Sequence, residues 1–139
     1  MHSSLAVLLA VVLSLLDSCV AWHGSVHLYS DVNFGGSTAR YAIDASQTCY
    51  ALRAADVSKT ASAKWESLVQ NGTLGQDKQG HAMLGFYTNA KCQDVPAKTF
   101  STKAENFPTN FALNGIKDKI ASFLVLESSA AVNAIVSPN

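Results

Sequence analysis

Acid–base or metal chemistry in this chain would have to start from His23, His27 and His81, the histidines that lie beyond its apolar leader. Imidazole titrates close to neutral pH and is a common metal ligand, but a hydrolase also needs a positioned nucleophile and a metal needs several ligands at a fixed spacing. Neither G-x-S-x-G nor H-E-x-x-H occurs, and the carboxylates are scattered. A triad can be assembled from residues distant in sequence, so a missing motif narrows the question without closing it. His27 alternates with Val26 and Leu28, which marks it as an outward-facing residue of a strand. The expectation is a protein that binds and does not catalyse.

Cysteine is the other reactive side chain, and it occurs at Cys19, Cys49 and Cys92. The first belongs to a leader. Leu5 to Leu16 are apolar apart from Ser14, and a polar break at Asp17-Ser18 precedes the small-residue exit Cys19-Val20-Ala21. This is the layout of a signal peptide spanning residues 1–21, even though only the amino terminus and His2 supply its positive charge. The apolar run is shorter than the about 20 residues a membrane span requires, so no stable membrane insertion is expected. A rival reading takes Leu16-Asp17-Ser18-Cys19 as a bacterial lipidation site, although such sites favour a small or aliphatic residue where Asp17 stands. Loss of the leader leaves Cys49 and Cys92, an even count in an oxidising compartment. One disulfide is expected, with two buried free thiols as the alternative. Such a bridge would tie the two halves of the chain and contribute about 4 kcal/mol through loop entropy. Two cysteines make neither a structural zinc set nor a C-x-x-C redox pair. Export also gives meaning to Asn71-Gly72-Thr73, a sequon whose Asn71 would carry sugar at an exposed turn.

Ten basic residues balance ten acidic ones, and the basic ones are spread from Arg40 to Lys119 without a dense cluster. No electrostatic footprint for nucleic acid or anionic lipid is expected. The mature chain is of a size for one domain that buries about two-thirds of the surface its unfolded form exposes.

The elements that must position these groups read as strands. Val26, Leu28, Phe34, Ala39 and Tyr41 alternate around the turn material Asp31-Val32-Asn33 and Gly35-Gly36-Ser37, a hairpin pattern. Tyr50 to Leu52 and Ser62 to Val69 read as further strands, and charged Lys64 and Glu66 point Trp65 inward. Gln70 to Gly80 lacks apolar periodicity and reads as a linker or long loop. The pattern resumes at Met83 to Tyr87, continues through Thr99 to Ser101 and Phe107 to Phe111, and ends at Ser122 to Leu126, whose continuous apolar run fits a strand buried on both faces. Residues 130–139 read as a flexible tail. A repeat overlies this pattern. Ala51-Leu52 leads to Lys59-Thr60-Ala61-Ser62, and Ala112-Leu113 leads to Lys119-Ile120-Ala121-Ser122. One unit is used twice, over about 25–69 and about 81–127 within a domain of 22–129.

The spacing of Tyr29, Phe34 and Gly36 resembles the hairpin signature of βγ-crystallin domains, and Ser62 and Ser122 each end a segment similar to the loop motif of that family. The resemblance implies an all-β fold, two Greek-key motifs packed as a small β-sandwich. In the second unit the aromatic and glycine positions, counted from Tyr87, fall on Cys92 and Asp94, so the hairpin signature is lost there and a disulfide at Cys92 would replace aromatic packing. Family members with the complete loop motif bind calcium. Here Lys117 and Asp118 stand at the two acidic or amide positions of the second unit, Val57 and Ser58 at those of the first, and Ala61 and Ala121 replace a hydroxyl. Asp118 and Ser122 are what remains of a metal set, and no cofactor is expected. Without metal, Ser62 and Ser122 would instead cap loop backbone and hold the crossover. Secreted microbial relatives that the sequence resembles include killer toxins, a metalloproteinase inhibitor and encystment-linked, spherulin-type proteins. The resemblance thus implies an extracellular effector or toxin-like module that binds a protein or cell-surface target through loops. The alternatives are a structural or stress-related protein with vestigial calcium binding, and a protease inhibitor presenting the region Ala90 to Ala97.

Overall fold

Val26 and Leu28 point one way from their strand and Ser25 and His27 the other, and this period-two pattern recurs often enough to build two sheets. The computed structural model describes residues 22–74, 80–103, 105, 107–129 and 132–137. The leader, with its signal-peptide and lipidation readings, lies outside the described residues. The strands are β1 (Gly24–Tyr29), β2 (Thr38–Ile43), β3 (Thr48–Ala51), β4 (Ser62–Glu66), β5 (Asn71–Leu74), β6 (Met83–Tyr87), β7 (Lys98–Ser101), β8 (Ser122–Leu126) and β9 (Ala134–Val136). They form one sheet in the order β2-β1-β4 and a second in the order β7-β6-β8-β3-β9.

The two units exchange a strand. β3 belongs to the first unit in sequence but pairs with β8 in the sheet of the second, with Tyr50 opposite Phe123 and Ala51 opposite Ser122. The reciprocal segment is 107–111, which runs beside β4: the Ala63 N–H donates to the Pro108 carbonyl at 3.2 Å and the Phe111 N–H to the Ala61 carbonyl at 2.8 Å. Pro108 has no N–H to return, which interrupts the ladder at this position. This exchange makes two Greek-key units into one sandwich, since neither half closes its own sheet.

Three boundaries differ from the sequence reading. β4 ends at Glu66, short of Val69. Within the expected long loop, Asn71–Leu74 forms a short strand bridged to His81. The expected flexible tail contains β9, which pairs in parallel with β3, Ile135 opposite Cys49. Gln47 makes that last pairing available. Its N–H donates to the Val125 carbonyl at 2.7 Å, its own carbonyl accepts from Asn133 N–H at 2.7 Å, and its side-chain Oε1 accepts from the N–H groups of Glu127 and Ser128 at 2.9 and 3.3 Å. A left-handed backbone at Gln47, φ 54°, aims these groups at the crossover from β8 to β9. Periodicity carries no trace of this contact, because the tail's strand is held by backbone and one amide while its three side chains stay exposed.

Phe86, Phe111 and Phe123 are wholly buried at the centre of the core, with ring centroids of Phe86 and Phe111 5.3 Å apart and Tyr50 stacked on Phe123 at 5.7 Å. Trp65 is buried as expected, edge-on to Phe107 at 4.9 Å, and its indole N–H donates to the Thr102 carbonyl. β8 is covered on both faces: Phe123 and Val125 enter the main core, while Leu124 packs with Tyr87, Cys49 and Cys92 on the outer side. That outer cluster contains the disulfide Cys49–Cys92, with Cα atoms 5.7 Å apart.

Candidate functional site

Strand register collects four loops at one end of the sandwich. Tyr29 at the end of β1 lies opposite Ser62 at the start of β4, and Tyr87 and Ala51 both lie opposite Ser122. The two sheets are joined above these residues by a reciprocal pair of hydrogen bonds, Ser58 N–H to the Ile120 carbonyl at 3.1 Å and Asp118 N–H to the Thr60 carbonyl at 3.0 Å. Loops 30–37, 52–61, 88–97 and 111–121 therefore leave the same end, two from each unit.

Their backbones are held in conformations that an L-residue adopts only under constraint. Phe34, Ser58, Cys92, Asp94 and Asp118 have φ between 48° and 67°, and Gly36 and Gly115 both have φ 73°. Each such non-glycine residue costs about 1–2 kcal/mol, which surrounding contacts must offset. The equivalences of the two units are visible here. Phe34 and Cys92 are both left-handed, as are Gly36 and Asp94, so the second hairpin keeps the folded geometry although its sequence signature is gone.

Ser62 and Ser122 supply the offsetting contacts. Both are fully buried. The Ser62 hydroxyl accepts from the Phe34 N–H at 3.0 Å and donates to the Asp31 carbonyl at 2.6 Å, pinning both ends of the 31–34 turn of the first hairpin. Tyr29 and Phe34 close that hairpin edge to face at 5.6 Å, and the Lys64 ammonium lies 4.1 Å above the Phe34 ring. In the second unit the Ser122 hydroxyl donates to the Asn89 carbonyl, and the Cys92 sulfur, at the place of the Phe34 backbone, lies 3.2 Å from its oxygen. Here a covalent bridge to Cys49 stands where the first unit has edge-to-face rings.

Loop 88–97 is the most heavily tied of the four. The Asn89 side chain accepts from the N–H groups of Lys91 and Gln93 at 3.1 and 3.0 Å and donates to the Gln93 carbonyl at 3.0 Å. Cys92 anchors its middle, Ala97 N–H donates to the Phe86 carbonyl at 2.8 Å, and Pro96 packs over Gly85. Val95 stands at its tip, 85% exposed. Leu113 on loop 111–121 is 84% exposed and Val32 on loop 30–37 is 37% exposed. Asn110 caps the turn that carries Leu113, accepting from Ala112 N–H at 3.0 Å.

Loop 52–61 is fastened by a cluster that sequence reasoning missed. The Tyr41 hydroxyl donates to Asp56 Oδ2 and accepts from the Arg53 N–H at 3.0 Å, while Arg53 Nε donates to the same carboxylate at 2.9 Å. Burial, and then the Asp56 carboxylate, push the Tyr41 hydroxyl above its usual range. An Arg-x-x-Asp spacing was legible in the chain, but its partner tyrosine comes from another strand.

Calcium requires six to eight oxygens. Ala61 and Ala121 offer no side-chain oxygen, the Ser62 and Ser122 hydroxyls are buried against hairpin backbone, and Asp118 stands exposed on its turn. These residues do not fit a calcium site. Among the described residues, no three His, Cys, Asp or Glu side chains are grouped to hold a metal. The histidines are apart from the loop end. His27 Nε2 lies 2.9 Å from Ser25 Oγ and 3.6 Å from Glu66 Oε1, so hydroxyl and carboxylate converge on one nitrogen, whereas a triad needs them on opposite ring nitrogens. Asn71 is exposed at the first position of β5, not in a turn, beyond the far ends of the sheets from the four loops.

No family model matches the chain, and no curated protein matches it. Among solved structures it is similar to a βγ-crystallin domain from Clostridium beijerinckii, at 18% identity over 75% of this chain and 99% of that one, with a TM-score of 0.45. A double mutant of that domain gives 18% identity over 75% and 98% of the two chains, with a TM-score of 0.46. By its own topology the chain is an all-β sandwich of two Greek-key units that exchange a strand and are bridged by one disulfide.

Proposed function

We propose that this chain is an exported, non-catalytic binding module, effector- or toxin-like, that engages an extracellular protein or cell-surface target through the loop end of its sandwich. The observation that carries the reading is the setting of Val95 and Leu113: two apolar side chains stand almost fully in water on loops whose backbones are locked by a disulfide, an asparagine cap and left-handed turns. Exposing large apolar groups on a rigid frame lowers the entropy lost on binding, so a few such residues can dominate an interface.

A protease inhibitor would lay an extended segment along the enzyme's cleft. Cys92 and Asp94, both left-handed, break extension on the approach to Val95 and weigh against that alternative. The stability-based alternative draws support from the disulfide and, among the described residues, from buried polar side chains that all have hydrogen-bond partners, but it gives the exposed tips no role.

The test uses the purified mature chain, fluorescently labelled, on a panel of microbial and animal cells. Saturable binding to at least one cell type is expected, reduced tenfold or more by Val95→Asp with Leu113→Asp while the thermal melt is unchanged. Undiminished binding by the double variant would remove the loop end as the contact surface. Cell death or leakage at the same concentrations would identify a toxin, and binding without harm a non-lytic effector.

A further inference from the structure

The outer face of the β2-β1-β4 sheet carries a second polar constellation, remote from the four loops. In strand register Arg40 lies directly beside His27, and His27 directly beside Lys64. The next row is different in character: Ala42, Ser25 and Glu66, two short side chains and a carboxylate. Because Ala42 and Ser25 are short, the face sinks between Arg40 and Glu66 into a hollow of about 240 Å³, with His23 and Ser67 on its rim. Ser25 is held in its floor by a hydrogen-bonding contact with His27 Nε2 at 2.9 Å.

We infer that this hollow binds an acidic sugar unit, its carboxylate on Arg40 and its ring hydroxyls on Glu66 and Ser67. The two ends of the hollow have opposite demands. A guanidinium presents a planar fork of donors that matches a carboxylate in two-point contact. Glu66, whose side chain is 69% exposed, is an acceptor with room for hydroxyl donors. An inorganic anion would use the first end only and would be repelled by the second, and an uncharged sugar would use the second only. The volume accommodates one monosaccharide. The groups facing His27 are Ser25 on its own strand, Arg40 on β2, and Lys64 and Glu66 on β4, with Lys64 drawn over the Phe34 ring.

The full mature chain is titrated with glucuronate, with glucose and sodium sulfate as controls, and the histidine ring and Arg40 side-chain NMR signals are followed at pH 7.5. Saturable shifts confined to His23, His27 and Arg40 are expected with glucuronate, at least tenfold tighter than with either control. Arg40→Ser and Glu66→Gln should each weaken glucuronate binding several-fold, whereas His81→Gln should leave it unchanged. Equal affinity for sulfate, equal affinity for glucose, or tighter binding by Glu66→Gln would overturn the assignment, as would shifts spread evenly over all histidines.

Discussion

Replacing Ser62 by alanine removes a fully buried hydroxyl that serves two backbone groups at once, the Phe34 N–H and the Asp31 carbonyl. Replacing Ser122 deprives only the Asn89 carbonyl, because the equivalent of Phe34 is Cys92 and a covalent bond to Cys49 holds it. A buried polar group left without a partner costs about 1–3 kcal/mol. Asp31 is exposed and Phe34 half-buried, so water can reach part of the opened hairpin and the lower end of that range applies. Ser62→Ala should then destabilise by about 2–3 kcal/mol and Ser122→Ala by about 1–1.5 kcal/mol. For a domain of about 120 residues, 1 kcal/mol lowers Tm by about 4 °C, giving drops of about 8–12 °C and 4–6 °C. The two serines lie in different sheets, so the double variant should be additive to within about 0.5 kcal/mol. The assay is a thermal melt with a matching urea titration, on oxidised protein whose disulfide has been verified by mass. Equal losses at the two serines, or a larger loss at Ser122, would refute the claim that a disulfide has taken over the hairpin lock in the second unit.

Cys49→Ala with Cys92→Ala should lower stability by about 4 kcal/mol from loop entropy alone, read as a fall in the urea midpoint with a steeper slope, because the unfolded chain without the cross-link exposes more surface. A loss under about 1 kcal/mol would show the outer cluster to be held by Tyr87 and Leu124 without the bridge. Gln47→Ala should orphan the N–H groups of Glu127 and Ser128 and release β9, so hydrogen exchange at residues 134–136 should rise while that of β8 stays protected. Equal protection in variant and parent would assign the tail's order to something other than this clamp. Burial raises the Tyr87 hydroxyl, and burial is the only cause of its shift. The unfolded tyrosine loses its proton near pH 10 while the folded one retains it, so stability is full below pH 10 and falls as pH rises from there through the folded value. Tyr87→Phe should reduce that alkaline loss without changing the slope below pH 9, as measured by urea midpoints from pH 8 to 11.

Alternation of apolar and polar residues placed β1, β2, β6 and β8, and the Ala-Ser repeat marked the two units, because a sheet face reads as period two wherever one side meets the core. The charged flanks of Trp65 and the apolar run of β8 were equally local signals. Cys49 and Cys92 could be paired by count. The equivalence of Phe34 with Cys92 and of Gly36 with Asp94 was countable from the tyrosines, but that Asp94 would keep the left-handed turn was not, since an aspartate tolerates other conformations and only its surroundings select this one.

What the chain alone determined was its strands other than β5 and β9, its duplication and its single cross-link, all properties of neighbours or of composition. Tertiary structure decided that β3 crosses to the other unit's sheet, that Gln47 recruits the tail as β9, that Tyr41 meets Arg53 and Asp56, and that Arg40, His27 and Lys64 fall in one row. Each depends on hydrogen bonds or register between segments far apart in sequence, made by groups that every residue or many residues carry. A backbone amide has no composition signal, and cross-strand neighbours are set by which strands pair and in what register.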